Sequence, residues 1–215
     1  MKIIPSILTG DRKEAKELLT CCEGVVDRVS IDIIDGKFAD NKTITPDFLA
    51  DFKTTLKVDY QLIVVEPVSW IERCVRGRAN TIIGHIEHMD SQEEFVEKVK
   101  KSKVEVGLGI DLETPVSEIK QNVLSNLDTV LLMSVPAGFG GQEFSYQVIE
   151  KIKSLSNIRK ENKATFTIHV DGGVNFDNIK DIADAGADEV SVGRLLFKGD
   201  LRENVEKFNE LLKYQ

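Results

Sequence analysis

Two carboxylates in this chain are placed for proton chemistry at a carbon atom. Asp32 lies in the apolar, β-branched run Arg28–Ile33, and Asp171 directly follows the run Thr165–Val170. Residues two apart in an extended strand share a face, so Ser30 with Asp32, and His169 with Asp171, can each point together. Two carboxylates on opposite sides of one carbon can move a proton across it, one removing it while the other returns one. Spacing alone leaves open a second role, in which each aspartate is tied into a turn or a salt bridge at its strand end.

Glycine gives the second signal. Gly138-Phe139-Gly140-Gly141-Gln142, Asp171-Gly172-Gly173-Val174-Asn175 and Gly193-Arg194 follow three successive apolar runs. Glycine lets backbone approach an anion closely and aim N–H groups at it. One such loop is equally a tight turn; three on one side of a fold point to a phosphate cup built around Gly140, Gly141, Gly172, Gly173, Gly193 and Arg194.

These residues need elements to position them. Short β-branched runs recur at Lys2–Leu8, Arg28–Ile33, Asp59–Val64, Thr81–Ile86, Glu105–Ile110, Thr129–Ser134, Thr165–Val170 and Glu189–Val192. Amphipathic helical periods lie between them, as at Asp11–Glu23, Ser91–Lys101, Ser145–Asn162 and Asn175–Ala185. Eight alternating units predict an α/β fold, a (β/α)8 TIM barrel, as a single domain over residues 1–215. The site of such a barrel lies at the C-terminal strand ends, which carry Ser6, Ser30 and Asp32, Gln61 and Ile63, His85 and Glu87, Met133, His169 and Asp171, and Gly193.

Composition narrows the partners. With 41% hydrophobic and 30% charged residues the chain reads as a soluble globular protein, and its net charge of −8 argues against nucleic acid or an anionic membrane. Neither a signal-length apolar run at the N-terminus nor a membrane-length segment is present. Cys21, Cys22 and Cys74 fit neither a disulfide framework nor a metal motif, so a reduced, cytoplasmic setting is the simplest reading. No repeated apolar outer stripe marks an oligomer interface, although a homo-oligomer stays open.

Over essentially its whole length the chain resembles the ribulose-phosphate 3-epimerase family. The resemblance rests on Ile4-Pro5-Ser6-Ile7-Leu8, Ile31-Asp32-Ile33-Ile34-Asp35-Gly36-Lys37-Phe38, Met133-Ser134-Val135-Pro136-Ala137-Gly138-Phe139-Gly140-Gly141-Gln142 and Val170-Asp171-Gly172-Gly173-Val174-Asn175. It implies interconversion of D-ribulose 5-phosphate and D-xylulose 5-phosphate, with Asp32 and Asp171 as the acid/base pair, Ser6 and Met133 near the substrate, and a small-molecule sugar phosphate as partner. It further implies a divalent metal held by two histidines and two aspartates.

The chain departs from that pattern around the reacting carbon. The two histidine positions are Ser30 and Gln61, two methionine positions are Ile34 and Ile63, and the serine of the last phosphate loop is Arg194. Asp32 and Asp171 with neutral oxygens from Ser30 and Gln61 make a hard set, which suits Mg²⁺ or Mn²⁺ better than Zn²⁺. His85 or His169 can instead supply a nitrogen ligand from a shifted position, or Lys37 or Arg194 a fixed positive charge. Two other functions compete with epimerisation. One is an aldolase or decarboxylase using Lys37, since Asp35-Gly36-Lys37-Phe38-Ala39-Asp40 spells the Asp-x-Lys-x-x-Asp signature of the orotidine monophosphate decarboxylase and hexulose-phosphate synthase group. The other is a non-catalytic sugar-phosphate-binding barrel that kept the cup and lost the metal.

Overall fold

In the computed structural model, which describes residues 1–213, eight parallel strands close into a barrel in sequence order. They are β1 (Lys2–Ile7), β2 (Arg28–Ile34), β3 (Lys57–Ile63), β4 (Ala79–His85), β5 (Glu105–Ile110), β6 (Thr129–Met133), β7 (Thr167–Asp171) and β8 (Glu189–Val192). Around them run α1 (Arg12–Cys22), α2 (Ile71–Arg76), α3 (Gln92–Lys101), α4 (Gln121–Leu124), α5 (Gln147–Glu161), α6 (Ile179–Ala185) and α7 (Leu201–Leu212). The expected (β/α)8 barrel is therefore present as one domain. No helix among the described residues is long and apolar enough to cross a membrane.

Three of the helices begin at a side chain that accepts from the first turn: Asp11 from Lys13 N at 2.7 Å, Ser91 from Glu94 N at 3.2 Å and Asp200 from Glu203 N at 3.0 Å. The helix expected from Asn175 starts later, at Ile179. Asn175 and Asn178 trade side-chain bonds with each other's amides across the intervening turn, and this competes with helical pairing.

One unit departs from the repeat. β2 and β3 are joined by an irregular stretch with a single 3-10 turn, Pro46–Leu49, and by no α-helix. Thr43-Ile44-Thr45-Pro46 explains this, because three β-branched residues precede a proline that disfavours helical backbone before it. The turn is pinned from outside. Asp47 accepts from Arg73 Nε at 2.7 Å and Arg76 Nη2 at 3.1 Å, both on α2, and the Tyr60 hydroxyl lies 3.3 Å from Pro46 O.

Period-two alternation sorts the strands. Val29, Ile31 and Ile33 of β2 and Val58, Tyr60 and Leu62 of β3 belong to the apolar shell between barrel and helices. Their neighbours Ser30, Asp32, Asp59 and Gln61 are buried inside the barrel. At the barrel's N-terminal end, Arg28 pairs with Asp59 at 3.2 Å and with Glu189. β5 places only glycines inward in its middle, Gly107 and Gly109. A Cβ on Gly107 would stand 2.9 Å from Ile83 Cγ1, and one on Gly109 2.9 Å from the His85 ring. The space these glycines leave is filled from neighbouring strands.

The Asp47 clamp has a pH signature. Burial pushes its carboxyl up, but the hydrogen bonds and charges of Arg73 and Arg76 outweigh this and hold it below the usual carboxylate range. A group depressed by folding contributes stability above its unfolded pKa of about 4 and loses it as pH falls through the lower folded value. Asp47→Asn should therefore cost up to about 1 kcal/mol at pH 7. In urea titrations the gap from the native chain should close as pH falls through and below the ordinary carboxylate range; a pH-independent gap would mean that the charges contribute nothing.

Candidate active site

At the C-terminal strand ends the barrel opens into a cavity of about 810 Å³ whose lining includes Ser6, Asp32, Met133, Asp171, Gly193 and Arg194. Asp32 reaches it from β2, where Thr43 fixes the strand end by donating to Asp32 O at 2.7 Å and accepting from Ile34 N at 2.9 Å. Ser6 of β1 donates to Asp32 Oδ2 at 3.3 Å, while Asp32 Oδ1 is buried without a partner. Asp171 reaches the same cavity from β7, and Ser134 steadies its backbone by donating to Asp171 O at 3.0 Å.

The two carboxylates sense each other. Burial and the charge on Asp171 push the Asp32 carboxyl well above its ordinary range, against a smaller opposing effect of the Ser6 hydrogen bond. Burial pushes Asp171 up to about 6, opposed by hydrogen bonds from Gln61 and the Gly172 amide and by the nearby His85. Among the expected site residues, Ser6, Asp32, Met133, Asp171, Gly140, Gly141, Gly172, Gly173, Gly193 and Arg194 all line this one cavity.

The glycine loops form its opposite end. Gly172 and Gly173 have φ of +107° and +58°, and a Cβ on Gly173 would fall 2.5 Å from Phe144 N, so both the turn and the packing require glycine there. The amides of Gly140, Gly141, Gly173 and Arg194 donate to no acceptor among the described residues. Unsatisfied N–H groups lining a cavity are what an oxyanion needs. Gly193 differs from the others. A Cβ there would meet only Ser6 O, at 3.8 Å, so the protein itself does not demand glycine at that position.

The positions in question as metal ligands are also resolved. Ser30 and Gln61 are buried inside the barrel beside Asp32, and Ser30 Oγ, Asp32 Oδ1 and Gln61 Oε1 have no hydrogen-bond partner. These three unpartnered buried oxygens, one of them on Asp32, beside the second carboxylate of Asp171 fit a hard cation, though only two of the donor groups are charged. Among the described residues no three His, Cys, Asp or Glu side chains converge as a metal set. His85 and His169 each have other partners. His169 faces inward below the mouth, with Nε2 2.9 Å from Ser191 Oγ and Nδ1 3.7 Å from Glu189. His85 turns Nε2 to the Gln61 amide nitrogen at 3.2 Å and Nδ1 to Glu87 at 3.4 Å.

Lys37 lies outside the cavity lining and is exposed. The Asp35 carboxylate of the same motif accepts from Lys37 N at 2.8 Å, Phe38 N at 2.9 Å and Val65 N at 2.9 Å, which makes Asp35 a turn-forming residue. The geometry thus lends no support to the lysine-based chemistry suggested by the Asp-x-Lys-x-x-Asp spacing.

Several contributors were not visible in the sequence. Asn41 donates to Gly138 O at 2.7 Å and ties the loop after β2 to the first glycine loop. Asp111 accepts from Ala137 N at 2.8 Å, while its own amide donates to Glu87 at 2.6 Å. Asp111 had a usable signal, a carboxylate just past β5. Thr43 and Asn41 had none, since they sit in the stretch that lacks a helix.

Comparison with known proteins agrees with this geometry. The model of the Ribulose-phosphate 3 epimerase family matches residues 2–197. Ribulose-phosphate 3-epimerase of Bacillus subtilis (strain 168) is 33% identical over 201 residues, covering 92% of each chain. That of Aquifex aeolicus (strain VF5) is 31% identical over 217 residues, covering 99% of this chain and 97% of the relative. Among solved structures, a 3-hexulose-6-phosphate synthase superposes with a TM-score of 0.66 at 14% identity, covering 98% of this chain and 99% of that one, which speaks for the shared barrel alone. With its glycine loops, its facing aspartates and a family match over nearly its whole length, this chain belongs to the ribulose-phosphate 3-epimerase family.

Proposed function

We propose that the chain is a sugar-phosphate 3-epimerase acting on D-ribulose 5-phosphate and D-xylulose 5-phosphate, or on a closely related ketose phosphate. One observation carries this reading: two buried carboxylates from β2 and β7 share a cavity with glycine loops whose amides lack acceptors. The names of the relatives support the same substrate class.

In this reading the phosphate rests on the backbone of Gly140, Gly141, Gly172, Gly173 and Gly193 and on Arg194, which leaves the ketose end between Asp32 and Asp171. One carboxylate takes the C3 proton from one face, and the other, in its acid form, delivers a proton to the opposite face. Ser6 keeps the Asp32 carboxyl oriented, and Met133 gives the reacting carbon an apolar wall. Retention of both aspartates favours turnover over mere binding, since a binder has no chemical need for two buried carboxylates at the sugar end. A hard divalent cation, Mg²⁺ or Mn²⁺ in preference to Zn²⁺, would be held by Asp32 and Asp171 with the oxygens of Ser30 and Gln61, and when bound it supplies positive charge to the substrate oxygens.

Deuterium uptake at C3 in heavy water tests the reaction. The native chain should exchange, and Asp32→Asn or Asp171→Asn should lower the rate by roughly 10²- to 10⁴-fold while sugar-phosphate binding persists. Absence of exchange with every ketose phosphate tried would overturn epimerisation, and release of carbon dioxide or an aldehyde would indicate another reaction.

Gly193→Val probes the cup without the packing clash that a side chain at Gly172 would create against Val135, 2.6 Å away. Its thermal midpoint should stay near native while affinity for ribulose 5-phosphate falls; unchanged affinity would place the phosphate elsewhere.

The protein should purify with little metal, and exchange should vanish with chelator and return with Mg²⁺ or Mn²⁺. Ser30→His combined with Gln61→His should raise zinc affinity, read by competition with a coloured chelator, by orders of magnitude. Tight stoichiometric zinc in the native chain, or full exchange after exhaustive chelation, would refute the oxygen-set reading.

A further inference from the structure

Arg194 adds to the cup something that backbone amides cannot. Its guanidinium lies along the first glycine loop, with Nη1 3.2 Å from where a Cβ on Gly141 would stand, and Nε and Nη2 each 4.0 Å from the corresponding point on Gly140. Side chains at 140 and 141 would crowd it, so the glycines that shape the loop also make room for this cation. Among the described residues it has no hydrogen-bond or ion-pair partner. It is also the only cationic side chain lining the cavity, whose other charged residues are Glu14, Asp32 and Asp171. Thr9 Oγ1 donates to the Glu14 carboxylate, so that acid already has a partner.

Backbone N–H groups recognise a tetrahedral oxyanion mainly by shape and hydrogen-bond count, and they serve singly and doubly charged tails alike. A guanidinium adds a full charge and a planar fork of donors, and its bonds to an ionised oxygen are roughly twice as strong as neutral ones. In a chain of net charge −8, with three carboxylates around the same cavity, that single charge decides which anions enter.

We propose that Arg194 is the specificity-determining residue for the charge of the substrate tail, selecting a dianionic phosphomonoester over a monoanionic group of the same shape. This rests on the phosphate-cup reading above and assigns to the side chain a task distinct from that of the loop backbone.

Methyl phosphate and methyl sulfate separate the two, since they share a shape but carry about two charges and one charge respectively at pH 8. Each is titrated in the presence of chelator into the native chain, Arg194→Gln and Arg194→Lys, and binding is followed by the amide resonances of Gly140, Gly141 and Gly173. The native chain should prefer methyl phosphate by about tenfold. Arg194→Gln should reduce that preference several-fold toward unity, and Arg194→Lys, which keeps the charge and loses the fork, should fall between. Arg194 is exposed and unpartnered, so both variants should fold; if the glutamine variant does not, a lysine variant with reduced preference still supports the proposal, and one with the native preference overturns the fork's part in it. A native preference retained in Arg194→Gln overturns the proposal and leaves the cup intact. If neither probe shifts the glycine amides of the native chain, the cup reading itself fails and takes the proposal with it.

Discussion

Closing eight strands on themselves leaves every second side chain nowhere to go but the barrel interior, and that confinement governs the rest of this molecule. The outward positions fill with Val, Ile and Leu against the helices, while the inward ones must settle among themselves in a space that water does not freely enter. Near the N-terminal end the settlement is ionic, with Arg28 between Asp59 and Glu189. Higher up it rests on hydrogen-bond-range contacts, with His169 against Ser191 and Gln61 against His85. At the mouth it stays unresolved, where burial holds both the Asp32 and Asp171 carboxyls above their ordinary range, the charge of Asp171 adds to the effect on Asp32, and several oxygens lack partners. Burying unpaired carboxylates is costly, and such cost is normally tolerated where chemistry uses it.

The barrel was legible because its signal is periodic and repeated. Alternation of β-branched runs with helical periods survives errors of two residues at an end, as at β3, which begins at Lys57 where the apolar run suggested Asp59. The missing helix after β2 escaped because regularity elsewhere outweighed one proline, although Thr45-Pro46 carried the information. Asp32, Asp171 and the glycines were legible since strand ends and left-handed turns restrict residue type. Depth was not legible. His85 and His169 look equivalent in sequence, each on an inward position near a strand end, yet one touches Gln61 beneath the mouth and the other is tied to Ser191 and Glu189. The place of Lys37 was hidden for a related reason: its motif is a turn whose carboxylate collects backbone amides, and the lysine lies outside the cavity lining.

The two ends of the cavity come from distant parts of the chain, and short polar ties hold them in register. Asp32 is set by Thr43 from the irregular stretch, and Asn41 from that same stretch grips the carbonyl of Gly138. On the other flank, Glu87 holds the amide of Asp111, and Asp111 holds that of Ala137. The first glycine loop is thereby fastened near its base on two sides, while Phe139 at its tip stays half exposed at 50%. A catalytic carbon can be placed to a fraction of an ångström only if both the anion anchor and the carboxylates refer to one frame, and these bonds provide it.

The two inward glycines of β5 also make the barrel eccentric. With no side chains of its own at Gly107 and Gly109, that wall lets Ile83, Thr129 and the His85 ring lean across it. The packed part of the interior is thus drawn toward β4, β5 and β6. The void lies opposite β4 and β5, none of whose residues line it; its lining comes chiefly from the ends of β1, β6, β7 and β8 and the loops beyond them, with Asp32 and Asn41 from β2 and its loop and Ile63 from β3. The cavity therefore lies off the barrel axis, close to the seam where the first and last strands meet. The first and last strands, paired from Lys2–Pro5 to Glu189–Val192, thus form one side of the cavity.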